Sequence, residues 1–293
     1  MSTTVERDGG RRIAYELVGR SRVWRPWVVL ISGVGHDRSS WEPLLPRLRR
    51  IARVVLVDNH GVGQSDPLRS RVTVGRLAED IIAVLDHAGV SRVHVVGVSL
   101  GGMIAQELAI EHPRRVRRLV LASTTPGWTE GYPFPLGNAL ELWRQTLRPG
   151  PASRRSGIRH ALAPQTRDSR PDLVERLTRE EVMPTPDPRS RLLQAMAGSS
   201  YSNRRRDRGI TAPTLVMHGL QDNVVNPRNA EILARNIPDA RLVWVPDAGH
   251  LIFWERPRFC ARQLVRFLRP ARPVALGTAA WTRVWTLLRR LRR

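Results

Sequence analysis

Residues 93–109 read VHVVGVSLGGMIAQELA. Val93–Val98 is apolar but for His94 and reads as a strand buried on both faces. Leu100–Glu111 reads as a helix, which His112-Pro113 ends. Between them, Gly97-Val98-Ser99-Leu100-Gly101 has the Gly-x-Ser-x-Gly spacing of a nucleophile elbow. The serine of such a turn is strained so that its hydroxyl points away from the sheet, and its glycine flanks let strand and helix backbones nearly touch. The helix N-terminus at Leu100 offers N–H groups and a positive dipole end to developing negative charge. The bare pattern is short enough to arise by chance as a turn with a bystander serine; the strand-turn-helix context speaks for the elbow.

The rhythm around the elbow alternates strand and helix. Upstream, strands are expected at Arg12–Val18, Trp27–Ile31 and Arg53–Val57, and a helix at Val74–His87, stopped by Gly89. Downstream, Val116–Ala122 is a further buried strand. Residues 127–209 are rich in Pro and Arg, with helix-like stretches at Ala139–Leu147 and Pro171–Glu181 but no buried-strand run. The rhythm resumes with strand Thr214–His218, helix Arg228–Asn236, strand Arg241–Val245 and helix Arg256–Leu268. The expected fold is an α/β protein with a mostly parallel twisted sheet, helices on both faces and a helical cap inserted between two strands. Core segments fall at 1–126 and 210–270, the cap at 127–209 and an extension at 271–293.

Composition narrows the function classes. At 293 residues and 41% hydrophobic content the chain is long and apolar enough for one large domain, and wholesale disorder is excluded. A single cysteine excludes a disulfide framework and Cys-based metal clusters. No apolar run approaches the roughly 20 residues that span a bilayer. The polar start MSTTVERDGG has no secretory h-region, so the expected compartment is the cytoplasm. The net charge is +22, yet all 48 basic residues are arginine and they are dispersed. A complete exchange of Lys for Arg reads as the codon bias of a GC-rich genome and not as a nucleic-acid interface, where Lys serves as well. No specific nucleic-acid partner is expected.

A serine nucleophile needs a base, and the base an orienting acid. Among eight histidines, His250 follows a predicted strand in Pro246-Asp247-Ala248-Gly249-His250, at a strand's C-terminal end, where sites of open α/β sheets gather. Asp222, in the loop after the preceding strand, is the candidate acid. Asp247 is the rival, but it lies three residues before His250 and suits its own turn better. The chain order Ser99, Asp222, His250 is that of this elbow type. Ser32-Gly33-Val34-Gly35 follows the first buried strand, and its amides can join Leu100 N–H around an oxyanion.

These motifs, with DNHGVGQSD (58–66), APTLVMHGLQDNVV (212–225) and PDAGHLIFWERP (246–257), resemble the α/β-hydrolase fold superfamily in its branch of cofactor-free esterases, lipases, enol-lactonases and perhydrolases. The resemblance spans about residues 30–270. It implies Ser99 as nucleophile, Asp222 as acid, His250 as base, Val34 and Leu100 as oxyanion amides, and no metal or organic cofactor. Two departures stand out: Ser32 where relatives usually have His, and His60 where they usually have Arg. Trp128, Phe134 and Trp143 are candidates for lining an acyl pocket, beside Tyr132, Leu140 and Met196.

The expected activity is hydrolysis of a small-molecule carboxylic ester. Thioester or lactone cleavage and acyl transfer use the same triad, and a non-catalytic ligand-binding relative is the non-enzyme alternative. Beyond Leu268, residues 269–293 carry seven arginines and no acid, with Trp281, Val284, Trp285, Leu288 and Leu291 on one helical stripe. A peripheral membrane contact through 271–293 is one reading. Docking on the domain or on a partner subunit is the other.

Overall fold

The computed structural model describes residues 2–19, 25–133, 137, 150–184 and 187–269. Phe134, Leu140, Trp143, the helix expected at Ala139–Leu147 and the extension 271–293 lie outside the described residues. Eight strands form one sheet: β1 (Thr3–Arg7), β2 (Arg11–Val18), β3 (Trp27–Ile31), β4 (Arg53–Val57), β5 (Val93–Val98), β6 (Val116–Ala122), β7 (Thr214–Gly219) and β8 (Ala240–Val245). Their order is β1-β2-β4-β3-β5-β6-β7-β8. The β1-β2 and β2-β4 pairs are antiparallel and all others parallel.

Strand periodicity sorts the apolar residues between two faces. Val29, Ile31, Val93, Val95, Leu119 and Leu121 meet the helices Val74–His87, Leu100–Glu111 and Arg228–Asn236 on one face. Val28, Leu30, Val96 and Val120 meet Trp41, Phe253 and the helix Pro257–Leu268 on the other. With both faces covered, each buried aliphatic side chain contributes about 1.5–3 kcal/mol of burial, which is why these strands read as continuous apolar runs.

Several elements differ from the sequence reading, β2, β7 and β8 by one residue at an end. β1 has no counterpart in it: its residues are mostly exposed and polar, so no alternation marks them. What makes the hairpin is Gly9 and Gly10, at φ 79° and 74°, folding β1 back on β2. The helix expected at Pro171–Glu181 stops at Thr178. The one expected at Arg256–Leu268 begins at Pro257, whose fixed φ suits a first helical position.

Between β6 and β7 the described chain carries the helices Pro151–Ala161, Pro164–Ser169, Pro171–Thr178 and Pro188–Ser199 and no strand of the sheet. Ile158, Leu162, Leu173, Leu177 and Met183 form their own apolar cluster, and Trp254 plugs into it from below. Among the described residues, no helix is long and apolar enough to cross a membrane.

Candidate active site

The turn at the C-terminal end of β5 is as tight as its glycines imply. Ser99 holds φ 55° and ψ −121°, a region that L-residues rarely adopt and that costs about 1–3 kcal/mol. A Cβ on Gly97 would sit 2.1 Å from the Gly101 carbonyl oxygen, and one on Gly101 would sit 2.0 Å from that of Ile31. Neither position admits a side chain. Ser99 N–H donates to Ala122 O at 2.9 Å and Thr124 Oγ1 donates to Ser99 O at 2.8 Å, which pins the strained residue on both sides.

The loops after β7 and β8 bring Asp222 and His250 together. His250 Nδ1 lies 2.8 Å from Asp222 Oδ2, with the carboxylate fully buried. Asp222 Oδ1 accepts the amides of Val224 and Val225 at 2.8 and 2.9 Å. A third partner was not foreseen: His218, at the end of β7 and wholly buried, places Nε2 3.0 Å from the same Oδ2. Burial pushes the Asp222 carboxyl up, but the charge of His250 and the hydrogen bonds from His218 and His250 outweigh it and hold the group well below the usual carboxylate range. Asp247 does not reach His250. It sits at φ 49°, largely exposed, and pairs with Arg256 at 3.3 Å.

Ser99 and His250 line one cavity of about 800 Å³, together with Val34 and Leu100. Leu100 is the first residue of its helix, so its N–H has no acceptor one turn back. In the same loop, Ser32 Oγ accepts from Trp41 Nε1 at 2.8 Å. From the helix Pro188–Ser199, buried Gln194 accepts Gly35 N–H through Oε1 and donates to His60 O through Nε2, both at 2.8 Å. Glu255 likewise accepts from Gly249 at 2.8 Å and from Ala163 at 2.9 Å, tying the His250 loop to the start of the helix Pro164–Ser169. Sequence reasoning missed both, because a lone Gln or Glu in a helix carries no spacing signal.

His60 is not part of this cavity. Its ring faces Arg11 Nη1 at 3.1 Å, and burial holds it below the ordinary imidazole value. The expectation for Trp128 also needs correction. The residue is 59% exposed and absent from the cavity wall, because the Gly127–Ser202 bridge and the Trp128 N–H bond to Tyr201 O hold this stretch at the surface. Met196, by contrast, does line the cavity, with Ile158, Met183 and Leu192 from the cap helices and the loop between them. Among the described residues no three His, Cys, Asp or Glu side chains group as a metal set.

A family model described as alpha/beta hydrolase fold matches residues 26–257. The 2-hydroxymuconate semialdehyde hydrolase of Pseudomonas putida is 31% identical over 251 residues, covering 82% of either chain. The pimeloyl-(acyl-carrier protein) methyl ester esterase of Aeromonas hydrophila is 29% identical over 247 residues, covering 80% of this chain and 91% of that one. A solved hydrolase from Pseudomonas aeruginosa PA01 superposes with a TM-score of 0.80 at 29% identity, covering 92% of this chain and 98% of its own.

Proposed function

Because the chain belongs to the α/β-hydrolase fold family, with hydrolases among its relatives, we propose that it cleaves a carboxylic ester through an acyl-enzyme on Ser99. The observation that carries the reading is the 2.8 Å contact of His250 Nδ1 with the buried Asp222 carboxylate, beside the cavity that His250 shares with Ser99.

His250 takes the Ser99 hydroxyl proton as Oγ attacks the ester carbonyl, and Asp222 fixes the tautomer that leaves Nε2 free to accept it. The amides of Val34 and Leu100 receive the oxyanion. As the intermediate collapses, the carbon–oxygen bond to the alcohol breaks and the proton on His250 goes to the leaving oxygen. Water then gives a proton to His250 as it attacks the acyl carbon; the bond from that carbon to Ser99 Oγ breaks, His250 returns the proton to Oγ, and the acid leaves. Residues 127–209 act as a cap whose helices shape the acyl pocket, over a core formed by 1–126 and 210–270. From sequence alone, 271–293 suits either a peripheral membrane contact or docking on the domain or a partner subunit, and co-sedimentation of full-length and truncated chains with anionic vesicles separates the two.

A fluorophosphonate probe should label the protein at Ser99. In a panel of p-nitrophenyl esters, run beside a thioester and a lactone, Ser99→Ala should lower ester turnover by about 10⁴–10⁶ with the fold intact. Activity retained within tenfold overturns the nucleophile assignment, and faster turnover of the thioester or lactone overturns the choice of ester.

A further inference from the structure

The two ends of the sheet differ in charge. Ser99, Asp222 and His250 follow the C-terminal ends of β5, β7 and β8. At the opposite end, the stretches 49–53, 86–92, 111–118, 206–213 and 235–241 lead the chain into the starts of β4 to β8. They carry twelve arginines against four acids. Of these acids, Asp86 pairs with Arg115 at 2.7 Å, Glu111 pairs with Arg206 and Asp207 is buried, which leaves Asp239. Arg50, Arg92, Arg117 and Arg241 are exposed, at or just before the starts of β4, β5, β6 and β8. The helix Pro257–Leu268 ends there too: its Phe267 ring lies 5.3 Å from the Arg118 guanidinium, and Arg266 and Arg269 are exposed.

An arginine-rich composition does not by itself produce this imbalance. The cap stretch 150–184 has seven arginines to five acids, and Arg154, Arg155, Arg170 and Arg176 each pair with a carboxylate. Neighbouring strands lie about 4.8 Å apart, so the run from β4 to β8 spreads the basic end over about 24 Å. Charge that broad and open suits an extended anionic surface, not a small ion. From Arg269 onward the sequence adds six more arginines and no acid, with Trp281 and Trp285 among its apolar residues. The phosphates of a nucleic acid would answer only the charge, whereas a bilayer interface takes both the charge and the tryptophans.

We propose that this end of the sheet docks the protein on an anionic lipid bilayer, with the cavity turned toward the water. The six residues of β5 hold Ser99 about 20 Å from the docked face. Resting on the ester-hydrolase reading, this orientation adds a substrate class: an ester dissolved in water, not an acyl lipid of the bilayer beneath.

The test mixes the full-length chain with phosphatidylcholine vesicles, with and without phosphatidylglycerol, at physiological salt. The parent protein should co-sediment with the anionic vesicles only. The triple variant Arg92→Glu, Arg117→Glu, Arg241→Glu should bind them about a hundredfold more weakly or worse, as three basic residues near such a surface imply. The triple variant Arg69→Glu, Arg71→Glu, Arg179→Glu changes the net charge equally, at exposed positions in the loop after β4 and in the cap. It should lose less than about tenfold, since salt screens the distant charges. Cys260 is buried, so a fluorophore on Arg92→Cys or on Arg179→Cys reports a single position. Headgroup-nitroxide lipids should quench the first label and spare the second. No binding by the parent, similar losses in the two triple variants, stronger quenching at position 179, or tighter binding to a DNA duplex of equal phosphate concentration overturns the inference. None of these readouts needs turnover, so they are independent of the ester reading. Bound protein should hydrolyse p-nitrophenyl acetate as fast as free protein. A tenfold slowing on binding overturns the orientation, and no turnover in either state overturns the ester reading itself.

Discussion

His218 Nε2 lies 3.0 Å from Asp222 Oδ2, the oxygen that also faces His250 Nδ1 at 2.8 Å. Nε2 has a second acceptor in Val225 O at 3.2 Å, while Nδ1 meets no partner among the described residues. The proton therefore sits on Nε2, and the ring can only donate toward the carboxylate. Two imidazoles and two amides thus fix the four lone-pair directions of Asp222. His218 is a positioning residue in this arrangement. Removing it leaves the aspartate ionised and Oδ2 held by His250 alone, so the carboxylate is less tightly oriented.

His218→Leu should lower kcat about tenfold with KM little changed, since the residue does not line the cavity; one factor of ten corresponds to about 1.4 kcal/mol of transition-state stabilisation. His218→Gln keeps an N–H donor near the Nε2 position and should recover most of the loss. Equal loss in both variants, with unchanged melting temperature, would show that the hydrogen bond to Asp222 has no part in turnover.

The two aspartates near His250 make a second comparison. Asp222→Asn should cost up to about 10⁴ in kcat, because an amide facing Nδ1 lets the imidazole take the wrong tautomer. Asp247→Asn removes only a pair with Arg256 in which the aspartate is largely exposed, and should leave kcat within a few-fold. Steady-state kinetics on one p-nitrophenyl ester decides this. A larger loss in Asp247→Asn reverses the assignment of the acid.

Much of this architecture could be read from the chain because its signals are local. The run WVVLI, and VHVVGV but for His94, are apolar since both faces of their strands are covered, and Gly97 and Gly101 are small because two backbones meet there. What escaped the reading depends on contacts distant in sequence. Gln194 meets Gly35 across 159 positions, and nothing around either residue announces the other. His218 carries no local signal, since the carboxylate it serves becomes its neighbour only once the loop 219–225 folds back. Trp128 was misjudged for the converse reason. An aromatic residue in a cap suggests a pocket wall, but the backbone bond to Tyr201 O holds it at the surface.

Gln194 gives a prediction about the cap. Its side chain is the buried link between the helix Pro188–Ser199 and the loop that carries Val34. Gln194→Leu leaves the Gly35 N–H and the His60 carbonyl without that partner, at about 1–3 kcal/mol for each unsatisfied group. The melting temperature should fall by several degrees, and kcat should fall more than KM rises, because the loosened loop presents the proposed oxyanion donor Val34. Unchanged kcat alongside a lowered melting temperature would confine Gln194 to holding the cap.

The last prediction concerns acid stability. His94 stands in β5 opposite Arg118 of β6, nearly buried, with Nδ1 lacking a partner among the described residues. Burial, with help from Arg118, Arg117 and Arg92, pushes its pKa down from 6.5 to about 4. Between those values the unfolded chain binds a proton at this position and the folded chain does not. Stability is therefore fully present above about pH 6.5 and is lost as the pH falls toward 4. At pH 5 the contribution lost is about 2 kcal/mol, from 1.36 kcal/mol per pKa unit. His36, also held near 4, adds a slope of the same sign. Urea unfolding at pH 7 and pH 5 should thus show a clear loss in the parent protein, and His94→Leu should remove about half of the loss that the two histidines share. An identical loss in parent and variant would mean that His94 is protonated at the same pH in both states.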